Sequence, residues 1–395
     1  MPSVPETARA SSIRQKKRRG IPLLLSGRMD WAFFFIVLML LSIGLVMMFS
    51  ASYVSAYYYK GDSLYYIKRQ LFFGVLGVFV MIAASKIDYR VFRVGAWPLY
   101  GASIVLLVVA LLMPEVKGVH RWIYIGPFNF QPSEIAKFAV VLLFAHLIVR
   151  SGPARMRRIV PGFFLFGLLL LPIVVLMVME PHLSGTILIL GLAAVMLFVG
   201  GTNIWIFLAG VAAVVGLAAI VILNPDLLTV FAHYAGTRIE VWLDPFSDPL
   251  NAGFQTLQSL YAIGSGGLMG AGIGASRQKY LYLPEPYNDF IFAVVCEELG
   301  FVGATLILCI FALLVWRGLV IASRCRDRFG SLVAAGLTAQ VGIQAILNVA
   351  VVTNTIPNTG ISLPFFSYGG TSLVMLLGEM GIILAVSRMA SLEKE

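Results

Sequence analysis

The feature that most constrains this chain is a succession of long apolar runs separated by short polar breaks. Crossing a bilayer as a helix takes about 20 predominantly apolar residues. No water is available at membrane depth, so each such segment must satisfy its own backbone N–H and C=O groups, which favours helices. Runs of this kind fall at 31–48, 71–85, 94–113, 132–149, 159–179, 183–199, 204–223, 289–316, 332–352 and 365–386. The predicted fold is therefore an all-α polytopic membrane protein of about ten transmembrane helices. The break between the fifth and sixth runs rests on Glu180-Pro181-His182. Composition agrees, since 59% of residues are hydrophobic and only 12% charged, about half the charge of a soluble domain. The chain divides into a basic N-terminal tail (1–30), a membrane domain (31–388) with a loop at 224–288 between the seventh and eighth spans, and a short tail (389–395).

Orientation follows from the basic residues. With the N-terminus inside, 20 of the 29 lysines and arginines fall in the inside segments, as the positive-inside rule requires. The expected topology is N-in and C-in, with the 224–288 loop outside. The cluster Lys16-Lys17-Arg18-Arg19 abuts a span, so it is read as an anchor to anionic lipid headgroups and not as a nucleic-acid site. The first span reads as a retained anchor rather than a cleaved signal, because its apolar run is long. Cys296, Cys309 and Cys325 suggest neither a disulfide framework nor a metal site. The four histidines, His120, His146, His182 and His233, show no ligand spacing. No Walker loop, dinucleotide fingerprint or internal repeat is present, and the sequence requires no cofactor.

Ionisable residues at membrane depth are expensive and mark function. Glu134 and Lys137 lie three residues apart in 131–137, on one face of a helix that Pro132 opens. They form either a local ion pair that lowers the cost of burial or the lining of a polar cavity, and the two readings are compatible. The 224–288 loop carries a glycine-rich run at 264–274, which suits either phosphate binding through backbone N–H groups or tight turning. Arg277 and Lys279 follow, as partners for an anionic lipid head or a phosphorylated ligand, or as a solvated face. The prolines of Leu283-Pro284-Glu285-Pro286-Tyr287-Asn288-Asp289 stiffen the approach to Asp289. That carboxylate is either a helix N-cap or a general base at the edge of an apolar wall. The stretch from Thr353 to Gly370 reads as a re-entrant loop that packs the bundle, or as a lining in which Ser367, Tyr368, Gly369 and Gly370 meet substrate. Glu379 is expected to pair with Gln340, Gln344 or Asn348.

Four segments resemble the SEDS family (shape, elongation, division and sporulation) of cell-wall glycosyltransferases. They are Arg121-Trp122-Ile123 with 131–137, the 244–260 stretch, 283–292 with Glu297-Glu298-Leu299-Gly300, and 363–372. The run 276–286 places the chain nearer the FtsW/SpoVE branch than the RodA branch. Two departures stand out. Tyr287-Asn288 replaces the usual His-Thr before the aspartate, and His182 stands where the family commonly has an aspartate, so no role is assigned to it. The resemblance implies polymerisation of lipid II into glycan strands on the outer face of the bacterial cytoplasmic membrane, in cell division. Asp289 would be the catalytic base and Glu134 and Lys137 would support the cavity. Lys68, Arg69, Arg121, Trp122, Arg277, Lys279 and Ser367 would bind substrate, and a divalent cation (Mg or Mn) is a further source of positive charge at a pyrophosphate. A class B penicillin-binding protein (a transpeptidase) and other division proteins are the implied partners. Two rival readings are a lipid II flippase and a non-catalytic scaffold for the transpeptidase. The charged motifs crowd at span ends, whereas alternating access needs groups near the midplane.

Overall fold

The computed structural model describes residues 27–115, 120–125, 128–223 and 233–392. The Lys16–Arg19 cluster, the 224–232 part of the long loop and the last residues, 393–395, lie outside the described residues. The helices are α1 (Trp31–Lys60), α2 (Tyr65–Ala84), α3 (Val91–Leu111), α4 (Pro132–Met156), α5 (Leu165–Met179), α6 (Leu183–Gly200), α7 (Ile204–Leu223), α8 (His233–Leu243), α9 (Phe254–Gly266), α10 (Ile291–Arg324), α11 (Arg328–Val352) and α12 (Gly370–Leu392). A π-helical turn, Val160–Phe164, leads into α5. An antiparallel hairpin of β1 (Ile123–Ile125) and β2 (Phe128–Phe130) pairs Tyr124 with Asn129. Among the described residues nine helices are long and apolar enough to cross a membrane, and α7 occupies the remaining expected run. The fifth and sixth runs part at Glu180-Pro181-His182 as expected.

α4, α6, α11 and α12 are the most buried helices, while α2, α3 and α5 present much of their length outward. The outward faces carry Phe79, Val94, Leu112 and Trp205, all at least 70% exposed. Water would penalise so much apolar surface, but lipid does not. Close helix approach comes from small residues: at Gly381 of α12, an added Cβ would stand 2.4 Å from the Met81 carbonyl oxygen of α2. The first and last described residues meet at one end of the bundle. Arg28 N donates to Ser391 Oγ at 2.9 Å, and Arg317 of α10 pairs with Asp30, the N-cap of α1, at 2.9 Å. A helix the length of α10 reaches about 50 Å, which carries its first residues, next to Asp289, to the other end.

Several elements depart from expectation. α1 runs on to Lys60, and α12 begins at Gly370, five residues later than predicted, because 353–369 is irregular. The long loop contains two helices, α8 and α9, that the sequence reading did not assign. α9 is tied down by Ser259 Oγ, which donates to the Val352 carbonyl at the end of α11 (2.8 Å). α10 is broken at Gly300, whose φ of 67° and ψ of −171° suit glycine. The break exposes carbonyls that the glycine-rich run then satisfies. Ala271 N donates to Glu297 O (2.9 Å) and Gly272 N to Glu298 O (3.0 Å), while Phe301 N reaches back to Gly267 O (2.9 Å). The run at 264–274 is thus a tight wrap around a kinked helix, and the amides of Gly270, Ala271 and Gly272 go to protein carbonyls.

Candidate active site

At the end of the bundle away from the termini lies a cavity of about 400 Å³. Its walls come from the β1–β2 hairpin, the starts of α4 and α6, the segment before α10, α11, and the irregular stretch before α12. Asp289, Glu134, Lys137, Arg121 and Trp122 all face it, so five of the ten residues singled out from sequence converge on one space.

Lys137 and Glu134 pair at 2.8 Å on one face of α4, with Lys137 almost fully buried. Gln344 of α11 accepts from Lys137 Nζ at 3.5 Å and donates to the Ser362 carbonyl (3.0 Å) and hydroxyl (3.1 Å). The pair is therefore both a local ion pair and part of the lining.

Asp289 is not the cap of α10. That position belongs to Phe290, which makes no side-chain cap. The backbone leading to Asp289 is instead held carbonyl by carbonyl. Tyr368 N donates to Tyr287 O (2.9 Å), Ser367 Oγ to Asn288 O (2.7 Å) and Asn348 Nδ2 to Asp289 O (2.8 Å). Asn348 Nδ2 also donates to Ile361 O at 2.7 Å. The carboxylate faces Gly360, where an added Cβ would stand 3.0 Å from Asp289 Oδ2. Gly360 has φ +69°, a second reason for glycine there. Beside it Tyr66 stacks on Tyr287 (4.5 Å between centroids) and meets Tyr368 edge-on at 5.0 Å. Burial raises the phenols of Tyr287 and Tyr368 above their usual range, so both remain protonated.

The remaining expected residues lie elsewhere. Lys68 is exposed and pairs with Asp62 at 2.9 Å. Arg69 packs its guanidinium on Tyr65 (4.5 Å) and hydrogen-bonds Tyr368, at the cavity rim. Arg277 is exposed, and its backbone N donates to Glu297 Oε1 at 2.8 Å. Lys279, expected to meet an anionic ligand, is fully buried and pairs with Glu298 at 2.8 Å. Ser50 Oγ also donates to Glu298 (2.7 Å), and Tyr53 lies 4.9 Å from the ammonium. Its charge is spent inside the protein because the 276–279 turn folds onto the Glu297–Glu298 pair. Ser367, expected to meet substrate, instead accepts from Leu363 N and donates to Asn288 O, each at 2.7 Å, and does not line the main cavity. Tyr368, Gly369 and Gly370 do line it, so the stretch before α12 both packs the bundle and walls the cavity. Glu379 accepts from Gln340 at 2.8 Å, one of its three expected partners.

Sequence reasoning passed over His182, which lines the cavity. Its Nε2 lies 3.1 Å from Gln131 Nε2 and 3.3 Å from Ser133 Oγ. Burial, with Arg121 and Lys137 nearby, holds it well below the usual histidine range, so it stays neutral. Glu180, at the end of α5, is pushed up to about 8 by burial, opposed by Arg121. Arg121 donates to the Pro181 carbonyl, which brings the 120–125 segment onto the α5–α6 corner. The helix-breaking Glu-Pro-His triplet was the available signal for these residues. No cluster of three His, Cys, Asp or Glu in metal-holding geometry occurs among the described residues. Among the described residues, Arg121 and Lys137 are the cations that line the cavity.

Both the sequence and the fold have counterparts among known proteins. The model of the FtsW/RodA/SpoVE family, described as "Cell cycle protein", matches residues 30–392. Stage V sporulation protein E of Bacillus subtilis is 42% identical, over 89% of this chain and 95% of that protein. The probable peptidoglycan glycosyltransferase FtsW of Trichlorobacter lovleyi is 38% identical, over 91% of this chain and 93% of its own. A solved structure described as "Structural coordination of polymerization and crosslinking by a peptidoglycan synthase complex" is 31% identical at a TM-score of 0.74, covering 92% of this chain and 98% of that one. The rod shape determining protein RodA of Thermus thermophilus is 29% identical at a TM-score of 0.66, over 91% and 97%. This chain belongs to the FtsW/RodA/SpoVE family of multi-pass proteins of the bacterial cytoplasmic membrane.

Proposed function

We propose that this chain, a peptidoglycan glycosyltransferase of that family, polymerises lipid II into glycan strands at the outer face of the membrane during cell division. The observation that carries the reading is the gathering of Asp289, Arg121 and the Glu134–Lys137 pair around one cavity. The reaction joins the C4 hydroxyl of an acceptor sugar to the anomeric carbon of the donor strand. As the new C–O bond forms, the bond from the anomeric carbon to the lipid-linked pyrophosphate breaks. Asp289 takes the hydroxyl proton, and an oxocarbenium-like centre develops at the donor's anomeric carbon. The departing pyrophosphate gathers negative charge, which Arg121 and Lys137 offset from fixed positions. Trp122 and the Tyr66–Tyr287 stack offer flat faces to a sugar ring. A class B penicillin-binding protein is the proposed partner that cross-links the strand.

The test is polymerisation of lipid II by the purified chain, alone and with its cognate transpeptidase, for wild type and Asp289→Asn. Loss of a general base costs about 10²–10⁴-fold. Polymer from wild type and none from a folded Asp289→Asn variant supports the assignment. Equal polymer from both removes Asp289 as the base, and no polymer under either condition favours the flippase or scaffold reading. The division setting is read from depletion in cells: filaments support it, and rounded cells or a block confined to sporulation refute it.

A further inference from the structure

The end of the bundle where Arg28 meets Ser391 contains a second cavity, of about 390 Å³. Arg28 and Trp31 at the start of α1, Arg317, Ile321 and Arg324 near the end of α10, and Ser391 of α12 help to wall it. Three guanidinium groups share it with one carboxylate, Asp30, which is already paired with Arg317 at 2.9 Å. Neither Arg28 nor Arg324 has an ion-pair partner among the described residues. Among the described residues two exposed positive charges, Arg28 and Arg324, thus stand at this cavity without a carboxylate of their own, open to an anion from outside.

What adjoins the charge narrows the anion. Trp31 lines the cavity, and its ring stacks on Phe35 one turn along α1, at 5.9 Å. Both are about 60% exposed. On α10, Leu313 lies one turn from Arg317 on the same face, and Trp316 is its chain neighbour. These two are 43% and 58% exposed. A basic cavity that runs into exposed aromatic and aliphatic faces fits an amphiphile with an anionic head. A small soluble anion has no use for the apolar faces. Basic pockets of this kind between membrane helices recognise lipid headgroups, and the arginine fork suits a phosphate.

We propose that this cavity binds an anionic glycerophospholipid, its phosphate between Arg28 and Arg324 and its acyl chains against the Trp31–Phe35 and Leu313–Trp316 faces. The site lies at the opposite end of the bundle from Asp289 and is independent of the polymerase reading. It is tested on the full-length chain, purified, delipidated and examined by native mass spectrometry. The probes are phosphatidylglycerol, cardiolipin and phosphatidylcholine, each with and without millimolar inorganic phosphate. Wild type is expected to retain the two anionic lipids and not phosphatidylcholine. Arg28→Gln/Arg324→Gln should weaken retention about 25-fold, at about 5-fold for each arginine at an anionic surface. A charge-keeping variant, Arg28→Lys/Arg324→Lys, should retain anionic lipid with intermediate affinity, and it covers the case in which the glutamine variant fails to fold. The proposal is overturned by equal retention of phosphatidylcholine, by unchanged affinity in a folded glutamine variant, or by displacement with inorganic phosphate. The last outcome would mark a site for free anions.

Discussion

A single side-chain amide, that of Asn348, donates to the carbonyls of both Asp289 and Ile361. Asn348→Ala leaves both without this donor, at about 1–3 kcal/mol for buried groups. Lipid II polymerisation is then expected to fall about 10- to 100-fold, because misplacement by an ångström costs about 10²-fold. A variant that unfolds at lower temperature yet polymerises at the wild-type rate would show that Asn348 only stabilises. Gly360→Ala meets both a positive φ and the Asp289 carboxylate, so the larger loss should fall on kcat, read in the same assay. Glu180 gives a pH signature. Its carboxyl is raised to about 8 in the folded chain, against about 4.3 in an unfolded one. The folded state therefore holds a proton that the unfolded state releases between those values, and stability falls as pH rises from about 4.3 to 8. Glu180→Gln should flatten that decline, raising the unfolding temperature at pH 8 more than at pH 5. A parallel pH profile in the variant would remove Glu180 as its source.

Among the elements, α10 depends most on distant parts of the chain. Its break at Gly300 is wrapped by the glycine-rich run, and Glu297 and Glu298 collect the 276–279 turn. Lys279→Met would leave Glu298 buried without its cation, a loss of about 3–5 kcal/mol. Glu298→Gln in the same background should recover part of the unfolding temperature. No recovery would mean that the loss comes from packing alone. This is also where sequence reading ran out. The spans were legible because apolar length is local, and the Glu134–Lys137 pair because three residues make one helical turn. The partners of Lys279 were not, since Glu298 lies 19 residues on in another element and Ser50 lies 229 residues away. Ser367 reads as a loop hydroxyl until the chain folds and sets it on Asn288, 79 residues off. His182 was set aside because family likeness pointed to another residue type, while its burial against Gln131 and Ser133 is a tertiary fact. α8 and α9 were hidden by the turn-forming and glycine residues around them.

For the whole molecule, the basic-residue bias and the position of the cavity together predict which end faces which compartment. In a background with Cys296, Cys309 and Cys325 replaced, Leu250→Cys, at an 81% exposed position, should react with an impermeant maleimide in intact spheroplasts. Arg157→Cys, also at an exposed position, should react only after lysis. The reverse pattern would overturn the N-in, C-in orientation and move the cavity to the cytoplasm. The three tethered carbonyls at 287–289 bear on a different question, that of what moves during synthesis. A carboxylate on so short a leash is a fixed post, and Tyr368, Ser367 and Asn348 are its moorings. On the proposed reaction the protein does not walk along its product; the growing glycan must slip past the post by one repeat after each addition. Polymer length then depends on how firmly the sugars grip the cavity walls between steps. Loosening Trp122 or the tyrosine stack should shorten strands before it slows the making of each bond.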